Sequence, residues 1–216
     1  MSTNNSKLNT AVMVYVSTFD SDQACGEVKP ASRNEAIQRS TDRLAKQQRY
    51  CVWKLLDYAL HDCYGKGVGE MDLYLDDNGR WNCRNGVDFS LAHSNNVVAV
   101  AIFNHAVGLD LEAVSRFARH VDNDVFVQRV LTDGEQRLLR NVSREHKTEL
   151  LAKLWTQKES IFKLESRSAF VPNRIDTTTQ SATCQLLTIN GELYALSVAT
   201  HPADINANIA IVRLKY

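Results

Sequence analysis

The chain has 216 residues, and its 25 Lys+Arg balance 25 Asp+Glu to a formal net charge of zero. That length fits one large or two small domains, and 44% hydrophobic residues can build a core, which excludes a disordered chain. Zero net charge speaks against a general nucleic-acid binder. The longest apolar run, Val97–Phe103, is far shorter than the ~20 residues of a membrane-spanning helix.

The first ten residues are polar and lack the apolar stretch of a secretion signal. Cys25, Cys51, Cys63, Cys83 and Cys184 are odd in number and contain no CxxC pair. Reduced thiols in a cytoplasmic protein are therefore expected, not a disulfide framework or a zinc site. Residues 11–17 have strand character. Apolar positions at steps of three and four predict a helix over about 34–63, ended by Gly65, Gly67 and Gly69. Short strands follow at 71–75, 87–91 and 97–103, with a turn at Asp77-Asn78-Gly79. A strand at 106–112 opens the second half. Helices are expected at 121–130 and 134–164, interrupted near 141–143. Strands at 183–189 and 193–200 flank Asn190-Gly191, a type I′ hairpin signal, and a last strand covers 207–214.

Each half thus reads strand, helix, then three strands. The expectation is an α+β fold of two pseudo-symmetric halves, residues 1–105 and 106–216, with the active site in the cleft between them.

Three short stretches carry chemistry. In Val107-Gly-Leu-Asp-Leu-Glu112, residues two apart share a strand face. Asp110 and Glu112 therefore point the same way, Gly108 leaves space beside them, and Leu109 and Leu111 face the other side. Two close carboxylates favour a hard divalent cation such as Mg²⁺; a solvent-facing acidic pair on an edge strand is the plain alternative. The second stretch is Lys153-Leu-Trp-Thr-Gln-Lys-Glu-Ser-Ile-Phe-Lys163. On a helical wheel its apolar residues cover roughly 140°, and Lys158 falls in the middle of that arc. Such a lysine must snorkel, pair or lose its proton. Glu159 stands at the edge of the arc, four residues before Lys163, within reach of an ordinary i,i+4 pair. The third stretch, Phe89-Ser-Leu-Ala-His-Ser94, places His93 and Ser94 in a turn before an apolar strand.

Taken in order, F-S-L-A-H-S, V-G-L-D-L-E and W-T-Q-K-E-S-I-F-K resemble the signature of 4′-phosphopantetheinyl transferases, specifically the longer, surfactin-synthetase-activating type. Arg49 resembles the family's helical arginine. Asn78-Gly79-Arg80-Trp81 stands where the family has G-K-P, and Ala92 where serine is commoner. The resemblance implies Mg²⁺-dependent transfer of the phosphopantetheine arm of coenzyme A to a serine of an apo acyl or peptidyl carrier protein, with release of 3′,5′-ADP. It assigns Asp110, Glu112 and Glu159 to the metal, and Glu159 also to the base, direct or through a metal-bound water. Lys158 and Lys163 fall to the diphosphate as catalytic and coenzyme-binding cations. Arg49 and His93 are assigned to the 3′-phosphate, with Ser94 beside them. A monomer is expected, because the two halves could form together what a half-length relative would assemble across subunits.

Between residues 113 and 147 stand seven basic residues (Arg116, Arg119, Arg129, Arg137, Arg140, Arg144 and Lys147) against five acids. This stretch is either a docking surface for an acidic carrier or an ordinary solvated face. Thr132 to Glu135 reads as a capping box, hence structural. Another Mg²⁺-dependent phosphoester hydrolase and a non-catalytic coenzyme A or carrier binder are the competing readings.

Overall fold

The structure, a computed structural model, describes residues 11–180, 182–204 and 207–214. It is a mixed α+β protein of two compact units, residues 1–106 with 206–216, and residues 107–205. No helix among the described residues is long and apolar enough to cross a membrane.

The first unit runs β1 (Ala11–Thr18), α1 (Ala31–Gln38), α2 (Arg43–Tyr64), a small hairpin of β2 (Leu73–Leu75) and β3 (Trp81–Cys83), then β4 (Asp88–Ser94) and β5 (Val97–Phe103). The single helix expected over 34–63 is two helices. Asp42 adopts an extended backbone and its carboxylate caps the amide of Ala45 at 2.6 Å, which starts α2 afresh. Gly65, at φ +70°, ends it as anticipated. His93 and Ser94 finish β4 instead of lying in a turn. Ser94 pairs with Val97, so the turn is Asn95-Asn96. The inner face of α2, with Val52, Trp53, Leu55, Leu56, Ala59 and Leu60, packs on Val98, Val100 and Ile102 of β5. Each such fully buried aliphatic side chain contributes about 1.5–3 kcal/mol relative to exposure.

The second unit runs β6 (Val107–Ala113), a 3-10 turn (Val114–Phe117), α3 (Asp124–Val130), α4 (Asp133–Asn141), α5 (Arg144–Glu165), a second 3-10 turn (Pro172–Arg174), β7 (Ala182–Ile189) and β8 (Glu192–Thr200). The break before α5 falls where the sequence indicates it. Thr132 and Glu135 form a full capping box at the start of α4. Asn190 and Gly191 turn the β7–β8 hairpin at φ +50° and +82°, the left-handed pair that a type I′ turn requires.

The two sheets share a strand order. In the first, β1 pairs with β5, which pairs with β4; in the second, β6 pairs with β8, which pairs with β7, all antiparallel. Each unit carries one 22-residue helix between its first strand and that antiparallel pair. The last strand, β9 (Asn208–Leu214), breaks the parallel between them. Expected as the third strand of the second half, it instead lies parallel to β1, from Ala11 opposite Asn208 to Ser17 opposite Leu214. The four-stranded order is β4-β5-β1-β9, so the second unit closes at residue 205 and not at 216.

Candidate active site

The second unit's site begins with a glycine. A Cβ on Gly108 would stand 1.8 Å from the carbonyl oxygen of Ser160 and 2.7 Å from the amide nitrogen of Leu164. The backbone of α5 therefore lies directly on β6 at this residue, a separation that a side chain there would forbid. Ser160 and Leu164 are one helical turn apart, and Glu159 and Lys163 precede them, so both polar side chains leave α5 next to β6. Lys163 Nζ reaches the Asp110 carboxylate at 2.8 Å and the carbonyl of Leu109 at 3.0 Å. Leu109 and Leu111 are fully buried, as the strand alternation requires.

The electrostatics follow from this crowding. Burial, and then the negative charges of Asp110 and Glu112, push the Glu159 carboxyl up to about 7, while Lys163 works against the rise. Burial alone would lower the Lys163 ammonium, but Asp110 and Glu159 outweigh it and hold it above its ordinary value. Asp110 is 6% exposed, and its Oδ2 is buried without a hydrogen-bond partner. Glu112 accepts from Arg116 at 2.5 Å. Asp110 also sits across the ladder from Ser197 of β8, whose hydroxyl lies 2.7 Å from that of Thr156 and ties α5 to the sheet.

The three acids therefore share one neighbourhood, but they are not drawn up as a ligand cage. Among the described residues no group of three His, Cys, Asp or Glu is arranged to hold a metal ion. Lys163 is on one oxygen of Asp110 and Arg116 is on Glu112, so two of the three acids already carry a cationic partner. The donor set itself suits a hard cation, since it is all oxygen and includes an unsatisfied buried carboxylate atom.

Lys158 is a correction. The resemblance assigns it to the diphosphate, yet it is 0% exposed. Its Nζ pairs with Glu135 at 2.6 Å and donates to the carbonyls of Pro172, at 3.0 Å, and Ile175. An ammonium with its three protons so engaged, and no exposed surface, does not touch a bound phosphate. The central position on the apolar arc reflects pairing, one of the three outcomes open from the wheel. Its partner is the capping-box glutamate, which no local pattern connects to residue 158.

Arg49, His93 and Ser94 belong to the first unit. Arg49 and His93 are exposed and Ser94 is buried. Gln48 donates to the carbonyl of Asn95 at 2.8 Å, which brings the turn of α2 carrying Arg49 to the end of β4 carrying His93. Arg80 clamps its turn to β4, reaching both oxygens of Asp88 at 2.6 and 2.8 Å. Sequence reasoning missed Arg33 on α1. Its guanidinium lies 4.8 Å over the Trp53 ring, donates to the backbone carbonyl of Arg49 at 3.2 Å, and keeps its Nε buried without a hydrogen-bond partner. Burial and the neighbouring Arg49 charge lower it to about 10. A half-buried guanidinium with an unsatisfied Nε, close enough to a second arginine to feel its charge, suits an anion. Nothing local in Ser32-Arg33-Asn34 signals this, because the stacking partner is twenty positions away.

Comparison with known proteins meets this geometry in one place. Residues 106–211 match the 4′-phosphopantetheinyl transferase superfamily. The match contains Asp110, Glu112, Lys158, Glu159 and Lys163 and excludes Arg49, His93 and Ser94. A relative, the 4′-phosphopantetheinyl transferase gsp of Aneurinibacillus migulanus, is 28% identical over 86 residues. That alignment covers 40% of this chain and spans about a third, 34%, of the relative's length.

Proposed function

We propose that the chain transfers the 4′-phosphopantetheine arm of coenzyme A to a serine hydroxyl of an apo acyl or peptidyl carrier protein, releasing 3′,5′-ADP. The observation that carries this reading is the convergence of Asp110, Glu159 and Lys163 where α5 crosses β6, inside the segment that matches the superfamily. The repeated strand order favours the longer, surfactin-synthetase-activating type, acting as a monomer.

In this mechanism the serine oxygen bonds to the phosphorus bearing pantetheine as the bond to the departing 3′,5′-ADP breaks. Glu159 takes the serine proton, directly or through one water. Lys163, kept charged by its carboxylate neighbours, meets the charge on the diphosphate. Asp110, Glu112 and Glu159 would hold Mg²⁺, which when bound supplies neutralisation of the diphosphate. Arg33, Arg49 and His93 would hold the 3′-phosphate. The exposed arginines between residues 116 and 144 would face an acidic carrier.

The deciding experiment is incubation with Mg²⁺, coenzyme A and a panel of apo-carriers, read as the mass gain of each carrier. Coenzyme A consumed without any carrier would instead mark a hydrolase. Two predictions accompany it. Arg33→Ala should raise KM for coenzyme A about tenfold or more, a loss of ~1.4 kcal/mol of binding, and should leave KM for dephospho-coenzyme A unchanged. Chelation of divalent ions should abolish transfer, and Mg²⁺ at ten times its Kd should raise stability by about 1.4 kcal/mol in thermal unfolding without substrates. An unchanged Tm would remove the metal from the proposal.

A further inference from the structure

The Lys158–Glu135 pair is more completely satisfied than a buried ion pair needs to be for mere tolerance. One oxygen of Glu135 accepts from the amide of Thr132, at 2.9 Å, and from Lys158. The other accepts from the amide and hydroxyl of Thr177, at 3.0 and 2.7 Å. Lys158 spends its remaining protons on the carbonyls of Pro172 and Ile175. Apart from Thr132, the N-cap of α4, every one of these contacts outside α4 and α5 goes to a single segment, residues 172–177. The pair thus fastens an otherwise irregular strap to the middle of α5.

The strap is anchored just beyond Phe170. That ring contacts Trp155, edge-on with centroids 5.6 Å apart, and Phe162, at 5.1 Å. Trp155 and Phe162 lie four residues before and three residues after Glu159, so both stand on the flank of the helix between Glu159 and Lys158. A ring touching both covers the arc between Lys158 and Glu159. Next to it Val171 is 40% exposed and Arg174 is exposed on the same strap, while Arg167, before the strap, pairs with Glu165 at 2.5 Å. The result is an apolar wall with one exposed cation, Arg174, beside the stretch of α5 that carries Glu159.

We propose that Glu135 and Lys158 are positioning residues that hold the 170–177 strap as a fixed wall of the acceptor site, Phe170 supplying the apolar contact and Arg174 favouring an acidic acceptor segment. The inference rests on the transfer reading for its acceptor, but the fastening itself is testable without turnover. Trypsin cleavage after Arg174 should be slow in the full-length wild-type chain and at least tenfold faster in Lys158→Met at matched helical content. Equal cleavage rates would overturn the fastening. Phe170→Ala, which leaves the pair intact, should raise KM for an apo-carrier about tenfold and leave KM for coenzyme A within twofold. A purely structural role would move both constants together or neither, and either result would overturn the wall. If wild type modifies no carrier, the transfer reading falls and the acceptor wall with it, while the proteolysis result still decides the strap.

Discussion

Gly108→Ala is expected to be among the most damaging single-methyl additions this protein can suffer. The new Cβ would enter the space of the Ser160 carbonyl, and both clashing groups are backbone, so no rotamer change relieves the contact. Overpacking of this kind costs about 3 kcal/mol or more when the neighbours cannot yield. Relief requires α5 and β6 to separate, which also draws Asp110 away from Lys163 and Glu159. Denaturant unfolding should show the loss of stability. Under the proposed function, any folded fraction should transfer the phosphopantetheine arm at a small percentage of the wild-type rate. A variant of wild-type stability would mean that the helix does not lie on the strand as closely as the structure has it.

Glu159→Gln separates chemistry from folding. Under the proposed transfer, with Glu159 as base, its loss should lower kcat by about 10²–10⁴-fold, and Gln keeps the shape of the side chain. The same variant has an opposite effect on stability. The Glu159 carboxyl is raised from its ordinary 4.5 to about 7, so the folded state holds a proton that the unfolded state gives up. The sign follows by linkage: below pH 4.5 both states are protonated and there is no cost. Between about 4.5 and 7 the unfolded chain ionises first, and the native state loses stability as pH rises. In metal-free buffer, Tm should decline across that window for wild type, and the decline should flatten in Glu159→Gln. An identical pH dependence in both proteins would show that Glu159 is not the group held up by its neighbours.

Period and turn chemistry made much of this architecture readable in advance. Val97–Phe103 and the Asn190-Gly191 hairpin are local signals, and the structure has them where expected. So is the alternation in β6 that sets Asp110 and Gly108 on one face. What was not readable is long-range. The break at 39–42 depends on Asp42 choosing to cap α2, one of several polar residues able to do so. The β3 strand is three residues long and too short to show a period. The wheel identified Lys158 as anomalous, but its carboxylate partner lies 23 positions earlier and was visible only as a helix cap. Arg33 carries no sequence signal, because its character comes from Trp53 and Arg49 in the folded chain. The metal set shows the same limit: the resemblance assigns it three acids, but does not indicate that Lys163 and Arg116 already pair with two of them.

The parallel pairing of β9 with β1 has a bearing on biogenesis. Antiparallel neighbours in the first sheet are available early, since β4 and β5 emerge within a hundred residues of β1. The outer partner of β1 emerges about two hundred residues after it, when the whole of the second unit has been synthesised. Until then β1 offers an unpaired apolar margin, the kind of edge that recruits other nascent chains. Clipping the polypeptide before residue 208 should therefore yield a species prone to self-association, even though every side chain discussed for catalysis would still be present.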